Sequence, residues 1–305
     1  MSTTVSLVRC QPRTEGSLRE ALELIHGVDT RGLPVIIKPN LCTGVDRTRA
    51  ATTKAETVEA LVEEVVRVDQ SARVTIVEAD SDGKDADRAF ERLGYRRLER
   101  KLRNKGYDIS LINLSHEPEE TVEVNGLYFQ KLQFPKILLE PKFFVSLAVP
   151  KVHELTEITG VLKNQFGCLP RKDKTFYHPS INRVIVDVNR LIRPDLCIID
   201  GRVGLEGVTT GNTVDLGVMI AGRNAASTDA MMARVMKFEP KKIEHLRLSR
   251  DAGLGGLDPE PLGERVESVA KKFHKPPRLI STAGRYLPTS LRSIARTIYD
   301  EIRGF

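Results

Sequence analysis

The sequence predicts an α/β fold: a mostly parallel sheet with helices on both faces, an inserted β-hairpin near residues 121–132 and a basic C-terminal helix. Three observations predict it. Short β-branched runs such as Val35-Ile36-Ile37 and Val74-Thr75-Ile76-Val77 alternate with helical patterns, as parallel strands joined by crossovers require. Residues 143–150 and 196–199 are continuous apolar runs, the mark of buried strands. Polar residues crowd in directly after these runs, where ligands of α/β sheets bind.

In chain order, residues 4–10 alternate as a short strand, and Leu18, Ala21, Leu22 and Ile25 recur on one helical face. The strand at Val35 stops at Lys38-Pro39-Asn40, where proline removes a ladder donor and the chain is expected to turn. Thr53-Lys54-Ala55-Glu56 matches a capping box, and Val58, Leu61, Val62, Val65 and Val66 continue the helix. The strand at 74–77 ends in Glu78-Ala79-Asp80-Ser81-Asp82-Gly83. Helices over 86–93 and 96–104 close at Gly94 and Gly106, and residues 109–114 form the next strand. Asn125-Gly126 is the dipeptide expected in a type I′ hairpin turn.

The strand at 143–149 leads to a helix expected over 157–165 and broken at Gly167. Val184, Ile185, Val188 and Leu191 stripe another helix, and 196–199 is a strand ending in Asp200-Gly201 before a glycine-rich loop through Gly207. A strand follows at 216–221. Ser227-Thr228-Asp229 is expected to cap a helix over 230–236, and a helix near 241–251 precedes a loop at 253–256.

The 305 residues, 40% of them hydrophobic, can bury a large core. Residues 1–270 are expected to form a single elaborated domain, and residues 271–305 a basic connector and amphipathic helix. The net charge of +6 resides entirely in that tail, where eight basic residues face Asp300 and Glu301. Basicity is therefore poor evidence that the main body binds nucleic acid, although the tail itself could contact nucleic acid, an anionic membrane surface or a partner subunit. No apolar run approaches the roughly 20 residues of a membrane span, so a cytoplasmic protein is expected. Cys10, Cys42, Cys168 and Cys197 form no C-x-x-C pair, so no iron–sulfur or zinc motif is legible. Cys197 is expected in the core, and Cys42 and Cys168 in polar loops.

Parallel strands end on one side, so Lys38, Asn40, Glu78, Asp80, Lys151, His153 and Asp200 are expected at one crevice. The stretch from Lys151 to Ser180 adds Lys163, Asn164, Arg171 and His178. Lys38, Asn40, Lys151, Lys163, Asn164 and Arg171 suit binding of a small anionic substrate, a carboxylate or phosphate. His153, His178 and Asp200 suit proton transfer. Glu78, Asp80 and Glu206 suit a divalent metal. The remaining histidines, His26, His116, His245 and His274, carry no expected role. There is no dinucleotide fingerprint, phosphate-binding G-x-x-x-x-G-K-[ST] loop, G-x-S-x-G elbow or H-E-x-x-H, which leaves those enzyme classes unsupported.

The pieces VIIKPN at 35–40, PKVHELTEITGVLKNQFGCLP at 150–170, HPSINRVIVDVN at 178–189, IIDGRVGLEG at 198–207 and GVMIAGRNAASTDAMMARVM at 217–236 resemble the prokaryotic family called "domain of unknown function 362". Many of its members carry an added ferredoxin-type cysteine segment, so the resemblance implies a redox alternative in which a partner protein supplies the cluster or the electrons. This chain lacks that segment and has Val208 and Thr209 where the family usually has Gly-Pro. The residues themselves favour an enzyme on a small anion.

Overall fold

A computed structural model describes residues 4–275; the expected C-terminal helix lies outside the described residues. The elements are β1 (Thr4–Arg9), α1 (Thr14–Glu23), β2 (Val35–Pro39), α2 (Ala55–Val68), β3 (Arg73–Glu78), α3 (Ala86–Arg92), α4 (Tyr95–Asn104) and β4 (Asp108–Asn113), then the hairpin of β5 (Glu119–Glu123) and β6 (Lys131–Pro135). After these come β7 (Phe143–Ala148), β8 (Lys151–His153), β9 (Glu157–Thr159), α5 (Val161–Gln165), α6 (Ile181–Leu191), β10 (Leu196–Glu206), β11 (Asn212–Gly222), α7 (Ala225–Val235), α8 (Glu244–Asp251), β12 (Glu260–Gly263) and α9 (Val266–Val269).

The main sheet runs β12-β1-β11-β10-β7-β2-β3-β4. β10, β7, β2, β3 and β4 are mutually parallel, and β11 runs against both β10 and β1. The period-2 pleat divides the side chains between two cores. Val35 and Ile37 pack with Leu18 of α1 and Leu61 of α2, whereas Ile36 and Ile199 pack on the opposite face with residues of α5, α6 and α7. This arrangement bears out the mostly parallel α/β expectation and sets the ends of β2, β3 and β7 side by side.

Several local expectations change, each for a physical reason. β2 continues through Lys38 and Pro39, which stay in register with Ser146 and Leu147. No capping box forms at α2. Thr53 instead accepts from the Asn40 amide and donates to the Leu147 carbonyl, each at 2.9 Å, tying the loop after β2 to β7. The helix expected from 157 begins only at Val161, because Lys151–His153 and Glu157–Thr159 pair first as an antiparallel hairpin. The glycine-rich segment after Asp200 is strand: β10 runs on to Glu206 beside β11, with a register shift between Gly201 and Val203. α7 starts at Ala225, capped by Asn224, whose side chain accepts from the Ser227 amide. In the β5–β6 hairpin the tight turn is at Leu127-Tyr128, two residues later than Asn125-Gly126, with the Gly126 amide bonded to the Phe129 carbonyl. The buried Asp187 of α6 fixes it by accepting from the amides of Leu127, Tyr128 and Phe129 at 2.7–2.9 Å.

Candidate functional site

The site grows from a polar clamp inside the apolar core. α5 is short, and its start is held by Asp229 of α7, whose two carboxylate oxygens accept from the amides of Val161 and Leu162 at 2.7 and 2.9 Å. That contact needs Gly160, because a Cβ there would lie 2.2 Å from Asp229 Oδ1. Burial pushes the Asp229 carboxyl up to about 7, against the two amides that favour its charged form. Asn164 then donates to the Lys38 carbonyl at 2.8 Å and to Ser146 at 3.1 Å. Gln165 bonds Ser146 and Asn189. α5 is thereby pinned to β2, β7 and α6 by side chains rather than by its own length.

Two groups of amines meet at the strand ends. In the first, Lys38 Nζ lies 2.8 Å from Glu78 Oε2, 2.8 Å from the Pro39 carbonyl and 3.4 Å from Asn164 Oδ1. Lys84 Nζ lies 3.2 Å from the other Glu78 oxygen. Burial would raise the Glu78 carboxyl, but Lys38 and Lys84 hold it below its ordinary value. Lys174 donates to the Asp80 carbonyl, and burial pushes its amine down to about 8, with Glu78 opposing the shift. Gly167 closes over this group; a Cβ there would stand 3.2 Å from Lys38 Nζ.

In the second group Lys151, 1% exposed, donates to Asn40 Oδ1 at 3.0 Å, Cys42 Sγ at 3.1 Å and the Ala51 carbonyl at 2.9 Å. An ammonium has three donors, so Lys151 and Lys38 are both saturated within the protein. Lys163 is not. Among the described residues its amine meets only the Phe166 ring face, 5.4 Å away, and burial, reinforced by the Lys151 charge, pushes it down to about 8. His153 completes the group. Its Nδ1 accepts from the amides of Leu155 and Thr156 at 3.1 and 3.4 Å, which puts the proton on Nε2. Burial first, then the charges of Lys163 and His178, hold it well below the usual histidine range, so it stays neutral.

The other expected residues fall into three places. His178 stands half-buried in the 3-10 segment Lys174–Ser180, close enough for its charge to act on His153. Asn40 and Asn164 are buried, and they bond Lys151 and Lys38. Asp200 and Arg171 do not join the group. Asp200 turns to the face covered by α1 and α2, bonding Thr57 at 2.6 Å and Arg202 at 2.8 Å. Arg171 is exposed and stacks 4.0 Å over the Phe176 ring. The three carboxylates assigned to a metal are likewise apart in their bonding. Glu78 serves Lys38 and Lys84, Asp80 accepts from the Ala86 amide and Asn113, and Glu206 accepts from the amide and ring of His274. Among the described residues no three His, Cys, Asp or Glu side chains are grouped to hold an ion.

Lys84 and Lys174 were not singled out by the sequence, Asp229 was expected only as part of a helix cap, and His245 was given no role. Lys84 lies in a charged turn and Lys174 in a run of basic residues, so composition made both look like surface. His245 is fully buried on α8 and, with its ring pushed down to about 3 by burial and then Lys163, belongs to the same electrostatic neighbourhood. His245, Leu246 and Ser249 share one helical face of α8, and that spacing was the available signal. Cys168 is buried, not in a polar loop, and burial pushes its thiol up to about 12.

The chain is 27% identical over 319 residues to the thylakoid-associated protein sll1697 of Synechocystis sp., an alignment covering 98% of this chain and 95% of that protein. Among solved structures it is similar to the lactate racemase apoprotein from Thermoanaerobacterium thermosaccharolyticum, with a TM-score of 0.47 and 15% identity. That alignment covers 76% of this chain and 57% of the racemase chain. No helix of the described residues is long and apolar enough to cross a membrane. The family model of the domain of unknown function DUF362 matches residues 35–234, and the chain belongs to that family.

Proposed function

We propose that the protein is an enzyme that binds a small anion, a carboxylate or a phosphate, at the strand-end crevice and moves a proton on it. The observation that carries this reading is Lys163: an amine pushed down to about 8, without a hydrogen-bond acceptor among the described residues, and electrostatically coupled to a saturated Lys151 and a neutral His153. An amine in that state can bind an anion when protonated and serve as a base when not, and its pKa near the working pH favours proton transfer. Lys151 supplies fixed positive charge without surrendering its own bonds. His153 Nε2–H supplies a neutral donor, able to hydrogen-bond an oxygen on which charge develops.

The composition of the group supports an anionic ligand more broadly. Lys38, Lys84 and Lys174 gather around one carboxylate, Glu78, while Lys151 and Lys163 act on one another with no carboxylate partner among the described residues; buried charge without a partner is costly. An anion would offset that excess. Titration calorimetry with malonate and with inorganic phosphate tests the proposal. Wild type should bind one of them saturably, and Lys163→Met should abolish binding while preserving the fold by circular dichroism. Equal binding by wild type and Lys163→Met would overturn it.

A further inference from the structure

A second cationic feature lies on the far side of the Glu78–Lys84 ion pair. A cleft of about 400 Å³ is lined by Gly44, Gly83, Lys84, Asp85, Arg88, Arg92 and Lys172. Its charges are unbalanced. Asp85 is the only carboxylate in the lining, and it already accepts from the Arg88 amide at the start of α3. Lys84 is 7% exposed and held from behind by Glu78, so its position is fixed. Among the described residues the side chains of Arg88 and Arg92 enter no ion pair, and Lys172 reaches none either, although its charge acts on the nearby Asp80 carboxylate. On the neighbouring helix α4, by comparison, Arg96, Lys101 and Arg103 each meet a carboxylate.

Arg88 and Arg92 are four residues apart on α3 and so project from one face, toward the same concavity as Lys84 and Lys172. Planar guanidinium groups pair with phosphate oxygens through two parallel bonds. Concave sites with a few convergent polar groups are where small ligands bind, and low-dielectric walls focus the field of like charges. We infer that this cleft is a second anion site, for a phosphate-bearing ligand with more than one negative charge. The inference does not depend on the chemistry of Lys163. The ligand could be a free small molecule or the phosphate headgroup of a lipid.

The experiment uses the full chain and inorganic pyrophosphate, titrated by calorimetry at near-physiological salt, with a second arm of vesicles containing phosphatidic acid. Arg88 and Arg92 are exposed, so Arg88→Ala/Arg92→Ala should fold normally. Wild type should bind pyrophosphate or the vesicles saturably, the double variant roughly tenfold or more weakly, and Lys163→Met as wild type. Binding of pyrophosphate assigns the site to a free ligand, and binding of the vesicles alone assigns it to a headgroup. Failure to bind either probe, or equal binding by the double variant, would overturn the inference.

Discussion

Lys38 Nζ and Glu78 Oε2 are 2.8 Å apart, and the two side chains are only 1% and 3% exposed. Glu78 is thus a shared buried counterion, since Lys84 takes its second oxygen. Removing one member of such a pair leaves charge uncompensated in a dry interior. Glu78→Gln is expected to cost about 3–5 kcal/mol, measured as the shift in urea midpoint at constant slope. The pH dependence follows from the depressed carboxyl. Its stabilisation is present above the ordinary value of 4.5 and is lost as pH falls through the lower folded value. Urea midpoints across the acid range should therefore decline in wild type more than in Glu78→Gln.

Asp229 has the opposite linkage. Its carboxyl rises from 3.8 to about 7 on folding, so within that window the folded state holds a proton the unfolded state has released. Wild-type stability should fall as pH rises through the window, and the slope should be missing in Asp229→Asn. Asp229→Ala, which removes both acceptors at the start of α5, should cost about 1–2 kcal/mol. It should also loosen the Val161 and Leu162 amides in hydrogen exchange.

Lys163 should leave a signature at alkaline pH. Its amine falls from 10.5 to about 8 on folding, so across that interval the unfolded chain binds a proton the folded chain lacks, and stability contributed by this group rises with pH. Lys163→Met should lack the rise. At neutral pH, where wild type must bury a charge, the variant should have the higher melting temperature. Thermal unfolding across the interval decides it.

Asp187 is expected to act locally. Its Ala variant leaves the amides of Leu127, Tyr128 and Phe129 without their acceptor, at a cost of about 1–3 kcal/mol. Faster hydrogen exchange should appear in residues 124–130 and not in the main sheet, because β5 and β6 form a separate two-stranded sheet.

The fold was legible where period and apolarity were strong. The runs at Val35, Val74, Phe143 and Leu196 became neighbouring parallel strands, and their shared edge followed from topology alone. The misread segments were those where a long-range side-chain bond outweighs local pattern. Thr53 caps no helix because β7 claims its hydroxyl, and residues 157–159 pair with β8 before α5 can begin. In the site, Lys38, Lys151 and His153 were legible as strand-end polar residues, but their hydrogen-bond saturation was not. That property depends on Asn40, Ala51 and Glu78, contributed by other segments. Asp200 was expected at a strand end, but β10 continues to Glu206 and the Asp200 side chain bonds Thr57 and Arg202, away from the lysine group.

On the proposed reading Lys163 is an uncommitted amine poised for an anion. Reductive ¹³C-methylation of the lysines, with Lys163→Met to identify the resonance, lets that amine be titrated by NMR in the free protein and with malonate or phosphate. Titration near 8 is expected, moved upward by the anion that binds. Titration near the ordinary 10.5, with no response to either anion, would contradict it.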